Sequence, residues 1–376
     1  MKKILISMMC ILISSIVFAG SVFASHRHTK KEETEKQPPY IEAGVWDADF
    51  ERTNPNLNGL LWECKDKAFT KLKTKEATNK GTVVPVTYDT YYYAYDAQNG
   101  DVNSHATPVT KTCYVYLPAG YDESRQYNIL YLYHGGGDDE KAWFMNIDRT
   151  SGDRLPEVGH GYAVNVIDHA IEDGICEPLI IVTPTFYCYE MDEKLGLTGE
   201  NHINTDLVDY AAYELRNDII PVIEATYSTY AADTTPEGLA ASRDHRAMAG
   251  LSMGSMTTWR SGIIQCLDLF SWFGNMSAAT AAEPEIAVAD TNEKIIPAIE
   301  AAHEQGYDIN MMISFNGTED IALSSHVLMH HEFLKWMENS DLLRVGENYD
   351  FLVSDGAHMF NSWNMYLYDC LKVFFK

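Results

Sequence analysis

Basic residues are scarce in this sequence. Its 376 residues include 28 Lys and Arg against 54 Asp and Glu, which gives a formal net charge of −26 at pH 7. Because a protein that binds a phosphate backbone needs a basic surface, this charge argues against nucleic-acid binding. It also argues against an anionic membrane surface as a partner, and it is typical of a soluble protein with an acidic surface.

The common short motifs of zinc and nucleotide sites are also missing. The sequence contains no C-x-x-C and no H-E-x-x-H, and its glycine-rich loop, residues 135–137, is not followed by G-K-[ST]. His326 and His330 have the i, i+4 spacing that could bind a metal, but we interpret them as surface histidines of a helix. We therefore expect neither a metal nor a cofactor.

The apolar run at the N-terminus is somewhat short to span a membrane as a retained anchor, and no second segment of the sequence is long and apolar enough to do so. Two lysines precede the apolar run from Ile4 to Phe18, and Val22-Phe23-Ala24 resembles the small-residue site of a signal peptidase. This pattern predicts a signal peptide over residues 1–24. The mature protein is then expected to be secreted to the extracellular space, without membrane contact.

Cysteines are few and widely scattered after the predicted cleavage site. An even number in an exported protein permits disulfides, but a chain of this length does not need them to fold. The sequence leaves disulfides and buried free thiols equally open. The six residues are Cys64, Cys113, Cys176, Cys188, Cys266 and Cys370.

The remaining chain has the pattern of a globular α/β protein. Residues 25–41 are charged, contain Pro-Pro and predict a linker. From about residue 125, buried apolar runs such as "YNILYLY" and "PLIIVTPTF" alternate with segments of helical spacing, which predicts a mostly parallel central sheet with helices on both faces. We divide the mature chain into an N-terminal extension with strands, residues 42–104, packed on a catalytic domain, residues 105–376.

One short motif suggests the chemistry. In "RAMAGLSMGSMTTW", Ser252 lies between Gly250 and Gly254, so the stretch is G-x-S-x-G. A strand pattern precedes it and a helix pattern follows it, as expected for the sharp turn that presents the nucleophile of an α/β-hydrolase. A turn serine between two packing glycines is the simpler alternative. The motif therefore gains weight only if a base and an acid accompany it.

A serine nucleophile needs a base, and the base needs an orienting acid. In α/β-hydrolases the acid and then the histidine follow the serine along the chain. His358 lies in "SDGAHMFNSW", between a predicted strand and the last predicted helix. Asp320 follows the preceding predicted strand and is the predicted acid, with Glu319 as the alternative.

The same fold stabilises its oxyanion with two backbone N–H groups. One belongs to the residue after the nucleophile, here Met253, and the other to a loop after the third strand. The sequence "YLYHGGGDD" matches that loop, and Gly136 is the predicted donor, with Gly137 next.

These motifs together resemble the feruloyl and acetyl-xylan esterases of carbohydrate esterase family one. The resemblance covers roughly residues 105–376 and rests on "YLYHGGG", "RDHRAMAGLSMGS", "FNGTEDIA" and "DGAHMFNSW". It implies an α/β-hydrolase fold, with the same serine, histidine and aspartate as the triad and the same two amides as the oxyanion hole. Where family members commonly show G-x-S-x-G-G, this chain has Ser255 after Gly254.

The substrate is less well determined by the sequence. An aryl ester needs an apolar slot beside the triad. Four aromatic residues that follow predicted site segments could form it, although core packing is an equal alternative for each. They are Trp143, Phe186, Tyr187 and Trp363.

The prediction is a secreted serine esterase that acts on ester-decorated plant polysaccharide, with feruloyl esters of arabinoxylan as the first choice. An acetyl-xylan esterase and an acyltransferase on the same triad are alternatives. A carbohydrate-binding protein without catalytic activity on a hydrolase scaffold is an alternative of a different class, because a fold alone does not decide function.

Overall fold

The computed structural model describes residues 60–61, 63–145, 157–197 and 207–376. The predicted signal peptide, the predicted linker and residues 42–59 of the predicted N-terminal extension lie outside the described residues. None of the helices in the described part of the chain combines the length and the apolar character needed to cross a bilayer.

Eight strands of the described residues form one sheet, in the order β1-β2-β4-β3-β5-β6-β7-β8. β2 is antiparallel to both of its neighbours, and all the other pairs are parallel. The strands are β1 (Thr82–Tyr91), β2 (Pro108–Leu117), β3 (Asn128–Tyr133), β4 (Leu179–Thr183), β5 (Arg246–Leu251), β6 (Trp272–Met276), β7 (Met311–Glu319) and β8 (Tyr349–Ala357).

Helices connect the parallel strands. They are α1 (Lys67–Thr74), α2 (Tyr93–Gln98), α3 (Tyr162–Glu172), α4 (Tyr189–Leu195), α5 (Leu207–Glu214), α6 (Ile220–Thr226), α7 (Pro236–Ala241), α8 (Met253–Thr257), α9 (Pro284–Asp290), α10 (Ile296–Glu304), α11 (Leu323–Met337) and α12 (Phe360–Val373). A π turn, Leu215–Ile219, joins α5 to α6 just before Pro221, which has no N–H to donate to a regular helix.

The core consists of two apolar clusters, to which the strands of the sheet contribute alternate residues. Leu130, Leu132 and Ala249 belong to one cluster, while Tyr131 and Met248 belong to the other. Residues of β3, β4 and β5 are almost all buried because both faces of the sheet are covered. The predicted fold class, an α/β-hydrolase with a mostly parallel sheet and helices on both faces, is confirmed.

The predicted N-terminal extension contributes β1 to the same sheet as the predicted catalytic domain. β1 pairs with β2 over ten residues, from Thr82↔Leu117 to Tyr91↔Pro108. The predicted boundary between residues 104 and 105 therefore falls in the connection between two paired strands. The six cysteines of the described residues are buried free thiols, which decides the question that the sequence left open.

The prediction for His326 and His330 is wrong, because both are buried in α11 rather than exposed. His326 Nδ1 lies 2.5 Å from Asn316 Nδ2, and His330 Nδ1 lies 2.6 Å from the Tyr349 hydroxyl. Both rings also contact Phe351. Burial lowers the pKa of each histidine to about 3, so both are neutral members of the core.

Candidate active site

Ser252 lies at a strained turn between β5 and α8. Its backbone angles, φ 53° and ψ −120°, are rare for a residue with a side chain. Its N–H donates to Met276 O at 2.8 Å, which fixes the turn to the end of β6. The side chain is thereby held at the carboxyl edge of the sheet, at the start of a helix.

The two glycines of the motif are required by close contacts between backbone segments. A Cβ on Gly250 would lie 2.3 Å from the backbone of Gly254. A Cβ on Gly254 would lie 2.6 Å from the carbonyl oxygens of Tyr133 and His134. Since no neighbouring backbone can move away cheaply, both positions exclude larger residues.

The structure brings the three predicted triad residues together. His358 Nε2 lies 2.9 Å from Ser252 Oγ, and His358 Nδ1 lies 2.9 Å from Asp320 Oδ1. The Asp320 side chain is fully buried, whereas 22% of the His358 side chain is exposed. This geometry allows the imidazole to take a proton from the serine hydroxyl while the carboxylate holds the other ring nitrogen.

The acid in contact with the histidine is Asp320 rather than Glu319. Glu319 is the last residue of β7 and is exposed, so its carboxylate is solvated. Asp320 begins the turn that follows, where its Oδ1 also accepts the N–H of Ala322 at 2.9 Å. That second hydrogen bond fixes the orientation of the carboxylate toward the ring.

The predicted oxyanion donors lie next to each other. A Cβ on Gly136 would be 2.8 Å from Met253 Sδ, which places the glycine loop directly against the start of α8. Met253 is the first residue of that helix, so its N–H has no acceptor in a preceding turn. The N–H of Gly137 donates to the Tyr187 hydroxyl at 3.1 Å, which favours Gly136 over Gly137 as the second donor.

Two residues that organise this loop have roles that the sequence did not indicate. Tyr187, predicted to contact substrate, joins the glycine loop to the nucleophile turn, because its hydroxyl accepts from Gly137 N–H and lies 3.6 Å from Met253 Sδ. His134 is 1% exposed and lies 2.7 Å from Thr185 Oγ1 and 2.8 Å from Gly135 O. Burial lowers the pKa of His134 to about 4, so it is neutral and structural.

The predicted aromatic slot is not open in the structure. Trp143 is 1% exposed and donates its indole N–H to Tyr133 O at 3.0 Å. Trp363 is 5% exposed and donates to Ser277 Oγ at 2.9 Å, while its ring meets His358 edge-on at 5.0 Å. Both indole N–H groups donate to acceptors inside the protein, so both tryptophans belong to the core. Phe186 is also buried, against His134.

Exposed apolar side chains instead lie directly beside the triad residues in the chain. Ile321, which follows Asp320, is 83% exposed, and Met359, which follows His358, is 47% exposed. Tyr189 is 50% exposed and stacks on Tyr187, with 4.8 Å between ring centroids. We call Tyr189, Ile321 and Met359 the apolar rim. Exposed apolar groups at a site often mark a binding surface.

Among the described residues, no group of three or more His, Cys, Asp or Glu side chains is arranged to hold a metal ion.

Comparison with known proteins places this geometry in a family. No family model matches the chain. A solved structure, a serine-to-alanine mutant of the feruloyl esterase module from Clostridium thermocellum complexed with sinapinate, is 30% identical with a TM-score of 0.61; the match covers 84% of this chain and 94% of that one. The chain belongs to carbohydrate esterase family one.

Two curated relatives are also similar to this chain. Endo-1,4-beta-xylanase Y of Acetivibrio thermocellus is 34% identical over 279 residues, which is 71% of this chain. The endo-1,4-beta-xylanase/feruloyl esterase of Xylanibacter ruminicola is 28% identical over 323 residues, which is 79% of this chain. The match spans only 22% and 36% of the length of these two relatives.

Members of carbohydrate esterase family one are carboxylic ester hydrolases of the serine type. The common G-x-S-x-G-G motif of the family is changed at one position in this chain. Ser255 stands where a second glycine is usual after Gly254. Its side chain is fully buried, and its hydroxyl donates to Ala278 O at 2.7 Å. The hydroxyl of Ser255 thus links α8 to the loop after β6.

Proposed function

We propose that this chain is a secreted serine esterase that removes feruloyl groups from arabinoxylan. The observation that carries the proposal is the pair of 2.9 Å contacts that joins Ser252, His358 and Asp320 in one line. Relatives named as a xylanase and as a xylanase/feruloyl esterase support esters on xylan as the substrate class.

Acylation begins when Ser252 Oγ attacks the ester carbonyl carbon and His358 Nε2 takes the hydroxyl proton. Asp320 holds the imidazole through Nδ1–H and stabilises its positive charge. The N–H groups of Gly136 and Met253 stabilise the negative charge on the carbonyl oxygen. The sugar hydroxyl then leaves with the proton from His358, and the acyl group stays on Ser252.

Deacylation repeats these steps with water as the nucleophile. His358 takes a proton from the water, the new tetrahedral intermediate uses the same two amides, and Ser252 regains its proton as the acid leaves. The exposed part of the His358 ring supports this step, because water needs access to Nε2. No cofactor is required to balance either half of the reaction.

The apolar rim supports an aryl acyl group over acetyl. Ile321 and Met359 expose apolar surface next to the acid and the base, and Tyr189 exposes an aromatic ring that stacks on Tyr187. An acetyl group has little surface to bury against them, whereas a phenylpropenoyl group has a ring and an extended chain. Burial of that surface contributes about 25 cal/mol per Å².

A polar cleft supports a polymeric substrate. The cleft has a volume of about 720 Å³ and opens at the end of β1, on the same sheet edge as Ser252. Four strand spacings separate β1 from β5, which is roughly 19 Å along the sheet. The cleft is lined by Asp89, Thr90, Tyr91, Pro108, Val109, Thr110, Cys188, Glu190, Met191, Lys194 and Asp218. A polysaccharide whose ester group is bound at Ser252 is long enough to reach these hydroxyl and carboxylate groups.

Action outside the cell belongs to the proposal as well. A cell-wall polymer does not enter a cell, so its esterase has to be exported. The predicted signal peptide over residues 1–24 supports export, and the acidic surface, with a net charge of −26, supports solubility.

The test compares acyl groups on one protein. Purified wild-type protein is assayed for ferulate release from methyl ferulate and for acetate release from acetylated xylan, with Ser252→Ala as the blank. We expect kcat/KM for methyl ferulate to exceed that for acetyl esters by about tenfold or more, the range that one apolar pocket provides. Ser252→Ala should lower turnover by a factor on the order of 10⁴ to 10⁶.

Rapid release of acetate without release of ferulate would contradict the feruloyl assignment and favour an acetyl-xylan esterase. Transfer of the acyl group to a second sugar in place of water would favour an acyltransferase. Absence of both activities from folded protein would contradict catalysis itself.

A further inference from the structure

Residues 355–361, which run from the end of β8 through His358 to the first turn of α12, are called the histidine loop here, and they are held by a segment that lies far away in the sequence. The N–H of Cys64 donates to Asp355 Oδ1 at 2.8 Å, and Asn361 Nδ2 donates to Cys64 O at 3.1 Å. Glu63 and Asp355 also form an isolated parallel β-bridge. His358 lies midway between the two anchored positions, so a single residue, Cys64, is bonded to the loop on both sides of the base.

The segment that makes these contacts, residues 63–66, is itself fixed; we call it the strap. Cys64 is 3% exposed. Asp66 caps α1 by accepting the N–H of Phe69 at 2.9 Å, and Phe69 packs edge-on against Tyr368 of α12. Just before the strap, the N–H of Leu61 donates to the buried carboxylate of Asp369 at 2.9 Å. The strap therefore connects the histidine loop to α12.

The loop is supported on one side by β7, because Ala357 pairs with Glu319, but it is partly exposed at His358 itself. Its side chain is 22% exposed, and Met359 beside it is 47% exposed. Within the loop region, Ser362 Oγ lies 2.9 Å from Ala357 O and 3.3 Å from Ala357 N, and Trp363 contacts the ring from one side. The imidazole must nevertheless keep two 2.9 Å contacts at once, and a displacement of 1 Å can lower a rate by about a hundredfold.

We propose that Asp355 and Asn361 are positioning residues, which hold His358 in line with Ser252 by binding the strap at Cys64. The inference rests on the proposed serine esterase function and extends it to groups that touch neither substrate nor the reacting atoms. It assigns the residues just before α1 a part in catalysis as well as in folding.

The experiment uses pairs of variants in the full chain. Asp355→Ala and Asn361→Ala each remove one side of the strap contact. Asp355→Asn is the conservative counterpart, because its amide oxygen can still accept the N–H of Cys64. Asn165→Ala is the matched control: Asn165 Nδ2 donates to Lys73 O at 2.9 Å, the same kind of bond to the same N-terminal region but on α3, far along the chain from the histidine loop.

The substrate is 4-nitrophenyl acetate, an activated ester that tests the triad without testing recognition of the natural acyl group. We expect Asp355→Ala and Asn361→Ala to lower kcat by about ten- to a hundredfold, with KM changed by less than about twofold. Asp355→Asn should keep kcat within about threefold of wild type, and Asn165→Ala within about twofold. Thermal unfolding of all four variants reports whether each loses stability to a similar extent.

Two results would overturn the inference: kcat values for Asp355→Ala and Asn361→Ala that match Asn165→Ala, or equal losses for Asp355→Asn and Asp355→Ala. If Asn361→Ala fails to fold, the Asp355→Asn and Asp355→Ala pair still decides; if Asp355→Ala fails to fold, the comparison of Asn361→Ala with Asn165→Ala decides. Failure of the proposed function has a different signature, since the wild-type protein itself would then hydrolyse no ester above the Ser252→Ala blank.

Discussion

Ser252 and His358, the proposed nucleophile and base, are held in place by contacts of different range. Ser252 is fixed by backbone within a few residues, where Gly250 meets Gly254, and by the ends of β3 and β6. His358 lies on a loop whose anchors reach Cys64, 291 residues from Asp355 and 297 residues from Asn361. The turn at Ser252 therefore depends mainly on a local motif packed on neighbouring strands. The position of His358 depends on hydrogen bonds between residues that are distant in the sequence.

This difference has a physical reason. The turn between β5 and α8 is strained, because Ser252 has a φ of 53°. A strained residue stays in place only where tightly packed neighbours hold it. The histidine loop is not strained at His358 but is partly exposed, so its position depends on tertiary hydrogen bonds. We expect changes at the turn to disturb folding and changes around the loop to disturb catalysis.

The largest effect, on both folding and activity, should come from a substitution at the turn around Ser252. Gly250→Ala places a Cβ 2.3 Å from the backbone of Gly254, where no flexible side chain can yield. We expect a loss of about 3 kcal/mol or more in the free energy of unfolding, together with loss of esterase activity. Urea unfolding followed by circular dichroism measures it.

Gly262→Ala is the matched control for that change. Its new Cβ would lie 2.7 Å from Met248 Sδ, the far end of a flexible side chain that can move. We expect a loss below about 1.5 kcal/mol and retained activity. Equal losses at the two glycines would contradict the view that the turn at Ser252 is fixed by backbone contact.

A more limited effect, which lowers kcat and spares folding, should follow from changing Asp320, the acid in contact with His358. Asp320→Asn keeps the shape of the side chain but favours the wrong tautomer of His358, so kcat should fall by a factor on the order of 10⁴ with little change in stability. Glu319→Gln, one residue earlier and exposed, should change kcat by less than about tenfold. Steady-state kinetics of the two variants decide, and the reverse order would move the orienting acid to Glu319.

The same contrast explains what could be predicted from the sequence. The alternation of apolar runs and helical spacing predicted the sheet, because buried parallel strands such as β3 are apolar on both faces. The G-x-S-x-G motif predicted the turn, because Gly250 reports a close contact with Gly254 of the same motif. Neither inference required knowledge of distant partners.

Features that depend on distant partners were not predictable in the same way. The spacing of His326 and His330 indicates one helix face but not whether that face is buried, and Phe351 of β8 covers both rings. Trp143 follows the glycine loop in sequence, yet its indole N–H reaches Tyr133 O inside the core. The contact of Cys64 with the histidine loop has no signal in a single sequence.

The most direct test of the account is to identify the residue that carries the acyl group. Wild-type protein is treated with a fluorophosphonate, which reacts with activated serines, and the adduct is located by peptide mass spectrometry while esterase activity is followed. The account predicts one adduct per chain, on Ser252, forming at the rate at which activity is lost, and much slower labelling of Asp320→Asn. An adduct on another residue, or full labelling of Ser252 with activity retained, would contradict it.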